Sequence, residues 1–386
     1  MSELSLVHLA GDLKVSPGLA RPHNLHSTRP DFVDALTRGR LATALPQTLA
    51  SLFSLCGHAH RLCAELAVQA AQGEAKQMDG TGLRTLQTET LREHVRRIAL
   101  DWPQQLAANS TDCDRLQGLA LQALRTCPLS MSGAASSVAL SEMPSWLSQQ
   151  ILGLSARQWL EGWEHDPRAW MNHWCATTPG WLPELLQSCK TVANVAMPGA
   201  PVLRVHACNN ELQAIAADLR DTPQFTRQPV WQGHCAETGP WTRLNQNAPE
   251  RFDTPWLRLG ARLAELVRLS LPDAAGCTGS CWLQAGSLSL GANEGLAWVE
   301  MARGLLIHTV QVDKHGPDAG TLRCRVLAPT EWNFHPRGAV AQVLESLPKN
   351  ITLEAGRRIL ALMTAFDPCV QFDILPTHFS AEKAYA

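Results

Sequence analysis

The chain has 386 residues, 45% hydrophobic and 18% charged, with a formal net charge of −2 at pH 7. This is the composition of an ordinary soluble globular protein with a sizeable core. The near-neutral charge excludes an electrostatic case for nucleic acid or an anionic membrane, and no apolar stretch is long enough to span a bilayer.

Met1-Ser2-Glu3-Leu4 carries no basic segment ahead of an apolar core. The expectation is therefore a cytoplasmic protein whose 12 cysteines are reduced, most of them small buried hydrophobes. Residues 1–30, rich in Pro, Gly and His, predict a short strand plus loop. From Asp31 to Gln72 the pattern turns helical, with Pro46 as a start and Leu49, Leu52, Phe53 and Cys56 at helical spacing. Asp114 to Leu124 places Leu116, Leu119, Ala120, Ala123 and Leu124 on one apolar face. Ser155 and Gln158 have capping-box spacing, and the Trp-rich region from Trp146 to Trp181 predicts helices with aromatics packed between them.

Near Gly276 the pattern changes. Leu305, Ile307, Thr309 and Gln311 alternate with Leu306, His308, Val310 and Val312, and Leu322, Cys324 and Val326 alternate after the turn His315-Gly316-Pro317-Asp318. This predicts a β-hairpin, with Glu294 to Ala302 as a third strand. Helices return at Val340 to Leu347 and at Leu353 to Phe366. The fold class is α+β, mainly helical with one small antiparallel sheet, in a single domain over 1–386. The weakest candidate boundary lies around Asp221 to Pro229. Cys277 and Cys281 lack a second pair for zinc and read as structural or free. Gly286, Gly291 and Gly295 lack the spacing of a phosphate loop.

Two cysteine segments carry the chemistry. Cys56-Gly57-His58-Ala59-His60-Arg61-Leu62-Cys63 puts Cys56, Ala59, His60 and Cys63 on one face if helical. Thiolate and imidazole suit zinc, iron and nickel, but the spacing fits no common zinc pattern and by itself favours a helix with two buried cysteines and two solvated histidines. The second segment is Phe366-Asp367-Pro368-Cys369, followed by Val370-Gln371-Phe372-Asp373-Ile374-Leu375.

Together these resemble the nickel–iron hydrogenase large subunit. Its closing motif is DPCxxCxxH, here with Phe372 and Leu375 in place of the second cysteine and the histidine. Its opening motif is RxCGxCxxxH, here with Ala59 and Cys63 at those places. In the family the first cysteine of each motif binds nickel terminally, and the second bridges nickel to iron. Other segments are similar in the family's order. Ala99-Leu100-Asp101-Trp102 looks like ALDW, and Cys235 to Arg243 looks like PxExGPLAR. Glu300-Met301-Ala302-Arg303-Gly304 looks like EAPRG, and Pro329-Thr330-Glu331-Trp332-Asn333 looks like P[ST]TWN.

The resemblance implies that Arg303 and Thr330 contact cyanide, with Asp101 and Asp367 near the metal centre. The residues alone equally allow Arg303 an ion pair with Asp101 or Asp367, and Thr330 a turn cap. Ala10 stands where the family's proton-relay glutamate would be. With both bridging thiolates, that carboxylate and the tail histidine absent, a hydrogen-splitting enzyme is not expected.

The resemblance is to HupK/HoxV-type maturation proteins. It implies a non-catalytic scaffold that carries the Fe(CN)2(CO) fragment transiently on Cys56 and Cys369, with Cys63, His60 or His58 as further ligands and no nickel or magnesium. Implied partners are a HypC-like chaperone, the iron-fragment-building complex and the hydrogenase large subunit precursor. Alternatives are a metal-free chaperone, an enzyme with an altered metal site, or a respiratory-complex subunit of the same fold. Retention of Cys56 and Cys369 counts against the last.

Overall fold

A computed structural model describes residues 11–74, 80–129, 137–272 and 282–375. Ala10, Cys277 and Cys281 lie outside them. The chain opens with β1 (Leu13–Val15) and β2 (Leu25–Ser27), an antiparallel pair, followed by the short helix α1 (Val33–Thr37). Then come α2 (Leu45–Leu52), with Pro46 in its first turn, and α3 (Gly57–Ala71). The predicted helix through Cys56 is thus broken. Phe53 leaves helical geometry (φ −110°, ψ 55°), and Ser54–Cys56 form a 3-10 turn.

A helical layer follows: α4 (Gly80–Arg96), a π-helical turn Arg97–Asp101, α5 (Trp102–Leu106), α6 (Ser110–Arg125), α7 (Ser137–Leu147), α8 (Ala156–His165), α9 (Pro167–Thr177), α10 (Trp181–Ala193), α11 (Asn209–Asp221) and α12 (Pro255–Ser270). Side-chain caps set several starts. Asn109, Ser155, Asp166 and Thr254 each accept a backbone N–H from the first turn of the helix they precede. The tryptophans pack as predicted. Trp159 lies parallel to Trp163 at 5.8 Å and edge-on to Trp174 at 5.5 Å. Helix α12 is the central post, with every residue but Arg268 buried.

The second half supplies β3 (Ala285–Gly291), β4 (Glu294–Met301), β5 (Gly304–Val312) and β6 (Thr321–Leu327), an antiparallel sheet in that order. The hairpin and third strand are as predicted; β3 is additional. Both faces are covered. Leu296, Leu305 and Ile307 join a core with Leu212 and Ile215 of α11. Ala297, Val299, Leu306 and Val310 join the main core with α3. Alternation in β5 therefore separates two buried faces, not core from solvent.

Next come α13 (Pro329–Asn333), α14 (Ala339–Glu345) and α15 (Leu353–Phe366), then β7 (Phe372–Ile374). β7 pairs in parallel with β1, Leu13 opposite Phe372 and Val15 opposite Ile374, so the three-stranded sheet β2-β1-β7 binds the tail to the start of the chain. Among the described residues no helix is long and apolar enough to cross a membrane.

Candidate functional site

Cys56 owes its position to the break after α2. It is the residue that caps α3, with φ −139° and ψ 40°, and its side chain does no capping. Glu89 of α4 does that work instead, accepting from the backbone N–H groups of His58 (2.7 Å) and Ala59 (2.9 Å). The thiol is left free of that duty. Gly57 is required sterically, since a Cβ there would sit 2.9 Å from the Ala50 carbonyl oxygen.

Cys369 is fixed by the end of α15. Asp367 caps that helix in the left-handed region (φ 53°, ψ 72°), unusual for a non-glycine residue. Three guanidinium groups hold it there: Arg97 at 2.9 Å, Arg262 at 3.2 Å and Arg303 at 3.4 Å. Burial pushes the Asp367 carboxyl up, but Arg303, Arg262 and Arg97 outweigh it and bring it down to about 2. Two residues on, the half-buried Cys369 takes a hydrogen bond at sulfur from the Thr330 hydroxyl (3.1 Å), and its own N–H donates to the same oxygen (3.4 Å).

Arg303 occupies the turn between β4 and β5. Gly304 (φ +133°) makes the turn possible, because a side chain there would collide with Thr238. Arg303 is fully buried and pairs with Glu93 and Asp367, so the ion-pair expectation holds for Asp367. Asp101 is engaged elsewhere, with Arg97 at 2.6 Å. The Nη1 of Arg303 is buried and makes no hydrogen bond. Burial opposes the charge of Arg303, yet Asp367, Glu93, Cys56 and Cys369 together raise its pKa above the ordinary arginine value.

Behind Arg303 lies a buried ionic network that sequence reasoning missed. Arg243 grips Glu265 with two bonds (2.8 and 3.1 Å) and donates to the Met301 carbonyl (2.7 Å). Arg262 donates to the Ala302 carbonyl (3.3 Å). His94 donates from Nε2 to Glu265 (2.8 Å) and accepts from Arg262 at Nδ1 (3.2 Å), the pattern of a neutral imidazole; burial depresses its pKa accordingly. The carbonyls of the two residues before Arg303 are thus held by arginines.

The family-like segments meet here. Asn333 exchanges hydrogen bonds with the Thr238 backbone (2.9 and 2.8 Å), and the Thr238 hydroxyl accepts from the Leu305 N–H (2.9 Å). Glu237 pairs with Arg258, whose guanidinium lies over Trp241 and Phe366.

Leu55 lines both the cavity that contains Cys369 and the one that contains Cys56. A groove of about 650 Å³ is lined by Leu55, Arg97, Asp101, Asp367, Cys369 and Phe372, among others. A second, small pocket of about 10 Å³ is lined by Leu55, Cys56, Glu89, Glu93, Met301 and Arg303. Burial pushes the Cys56 thiol up strongly; Arg303 lowers it, and the proximity of Cys369 raises it further. Half-buried Arg29, paired with Glu331 and unforeseen from sequence, lies within the field of both.

The other expected ligands are elsewhere. Because Cys56 precedes α3, it does not share the helix face of His60 and Cys63. The Cys63 thiol donates to the Ala297 carbonyl at 3.4 Å, and His60 stacks on Phe53 and meets His308 at 3.1 Å. His58 borders neither cavity. Among the described residues no group of three His, Cys, Asp or Glu side chains forms a ready metal cage. What the residues offer is two soft donors beside fixed cationic hydrogen-bond donors, which fits an anionic, soft-metal fragment bringing its own ligands.

No protein-family profile matches the chain. It is 40% identical to the hydrogenase expression/formation protein HoxV of Cupriavidus necator, covering 95% of this chain and 96% of that one. It is 31% identical to the hydrogenase expression/formation protein HupK of Rhizobium leguminosarum bv. viciae, covering 94% and 95%. Among solved structures, a NiFeSe hydrogenase of Desulfovibrio vulgaris Hildenborough superposes with a TM-score of 0.56 at 16% identity, covering 89% of this chain and 92% of that one. An NAD+-reducing NiFe hydrogenase gives 0.52 at 16% identity, with 89% and 91% covered. The fold is that of the nickel–iron hydrogenase large subunit. Within it, the chain belongs to the HoxV/HupK family of hydrogenase expression/formation proteins. It is a hydrogenase maturation protein related to the large subunit.

Proposed function

We propose that this protein is a non-catalytic, cytoplasmic scaffold that holds the Fe(CN)2(CO) fragment transiently between Cys56 and Cys369 and delivers it to the hydrogenase large subunit precursor. The observation that carries this reading is that Cys56 and Cys369, far apart in sequence, line two cavities that share Leu55, and that Arg303, whose Nη1 makes no hydrogen bond, lines the Cys56 cavity. Cyanide is anionic and accepts hydrogen bonds at nitrogen. Arg303 Nη1 supplies one donor, and the Thr330 hydroxyl supplies a second by turning its one proton from the Cys369 sulfur to the cyanide nitrogen. Asp367 and Glu93 orient Arg303 without using Nη1, and Asp101 acts at a further remove, through Arg97.

With Phe372 and Ala59 at the bridging places, two thiolates hold less tightly than four, and a carrier must let go. Each thiol gives up its proton on loading, so loading releases protons. Nickel and magnesium are not part of the proposal. The proposed partners are a HypC-like chaperone, the complex that builds the iron fragment, and the large subunit precursor.

The test is anaerobic co-production with the maturation machinery, followed by infrared spectroscopy and metal analysis. Cyanide and carbonyl bands with iron and no nickel are expected. Absence of bands and iron would favour a metal-free chaperone, and bound nickel with hydrogen uptake would favour an enzyme.

A further inference from the structure

The two thiols are unequally placed. Cys369 is half-buried and lines the groove, whereas Cys56 is buried and lines the small second pocket. One side chain, Leu55, borders both spaces. It is 44% exposed, so part of its surface faces solvent and the rest is packed. The segment that carries it is pinned on both flanks. Phe53 stacks on His60 at 4.0 Å, and the Cys56 N–H donates to the Phe53 carbonyl at 3.0 Å. The backbone is held, so any movement at Leu55 falls on its side-chain torsions.

We propose that Leu55 is a steric gate between the groove and the Cys56 pocket. An incoming metal fragment then meets Cys369 first and reaches Cys56 only when Leu55 turns aside. The order of engagement rests on the iron-carrier reading; the gate does not, and metal-free probes test it alone.

The experiment follows alkylation of each cysteine in the full-length protein by peptide mass mapping, using iodoacetamide and a bulky iodoacetyl dye. In the wild-type protein Cys369 is expected to react before Cys56 with both, and the gap to widen with the dye. Leu55→Ala should speed labelling of Cys56 by about tenfold with iodoacetamide, because a leucine no longer has to leave its seat. The gain should be larger with the dye, while Cys369 and the distant buried Cys63 stay unchanged. A gap that does not depend on probe size in the wild type would overturn the gate without recourse to any variant. An unchanged Cys56 rate in Leu55→Ala, or Cys63 rising in step with Cys56, would overturn it as well.

Discussion

Arg303 illustrates how one side chain is both structural and available. Its guanidinium answers Glu93 and Asp367, yet one nitrogen is left without a partner in a pocket that contains Cys56. A lysine has no rigid fork to reach two carboxylates and still present a free donor. Removing the charge strands buried carboxylates. Asp367 keeps Arg97 and Arg262, however, and Glu93 keeps Arg96 and Arg97. Arg303→Met should therefore cost about 3 kcal/mol, the low end for breaking a buried pair. Urea denaturation measures this, and a loss near zero would show that Arg303 contributes little to holding the Asp367 turn.

At the scale of elements, α3 meets the four-stranded sheet through two histidines, His60 and His308. Burial lowers the pKa of His308 to about 3, so it stays neutral in the fold through the mildly acidic range. The unfolded chain takes up a proton near pH 6.5, so stability falls as pH drops below that value, by about 1.4 kcal/mol per unit for such a histidine. Between pH 7 and 5, His308→Gln should lose about 2 kcal/mol less than the wild type. Equal slopes in urea melts at the two pH values would contradict a neutral, buried His308.

The same elements show what the sequence made legible. Long periodic helices, the capped start at Ser155 and the β4–β6 strands follow from local pattern. β7 does not: three residues are too short for an alternation signal, and its partner β1 lies at the other end of the chain. The break before Cys56 was hidden because Leu52, Phe53 and Cys56 keep helical spacing across a chain that leaves the helix at Phe53. Arg258, Arg262 and Glu265 recur at i, i+4 and i+7 on α12, the spacing of a solvated charged stripe, yet all are buried. Periodicity reports that a face is charged, not whether water or another charge faces it. The Arg243–Glu265–His94 network was invisible for that reason, whereas the resemblance singled out Cys56, Cys369, Arg303 and Thr330 as candidates.

Over the whole molecule, the fold brings the two ends of the chain together. β7 zips onto β1 directly after Cys369, and α12 and α15 carry Arg262 and Asp367 to the turn that holds Arg303. Sites expected near one another from distant motifs therefore converge, while Cys63 and His60, close to Cys56 in sequence, turn to the sheet. Under the proposed carrier role, a clasp built from two segments far apart in the chain suits a cargo that must be released, because neither half binds firmly alone. The most direct measurement is iron content together with cyanide and carbonyl infrared bands in Cys56→Ala and Cys369→Ala, each produced anaerobically with the maturation machinery. Both variants should keep the fold and lose the iron and its bands. If either retains the wild-type iron and spectrum, the two thiols do not hold the fragment between them.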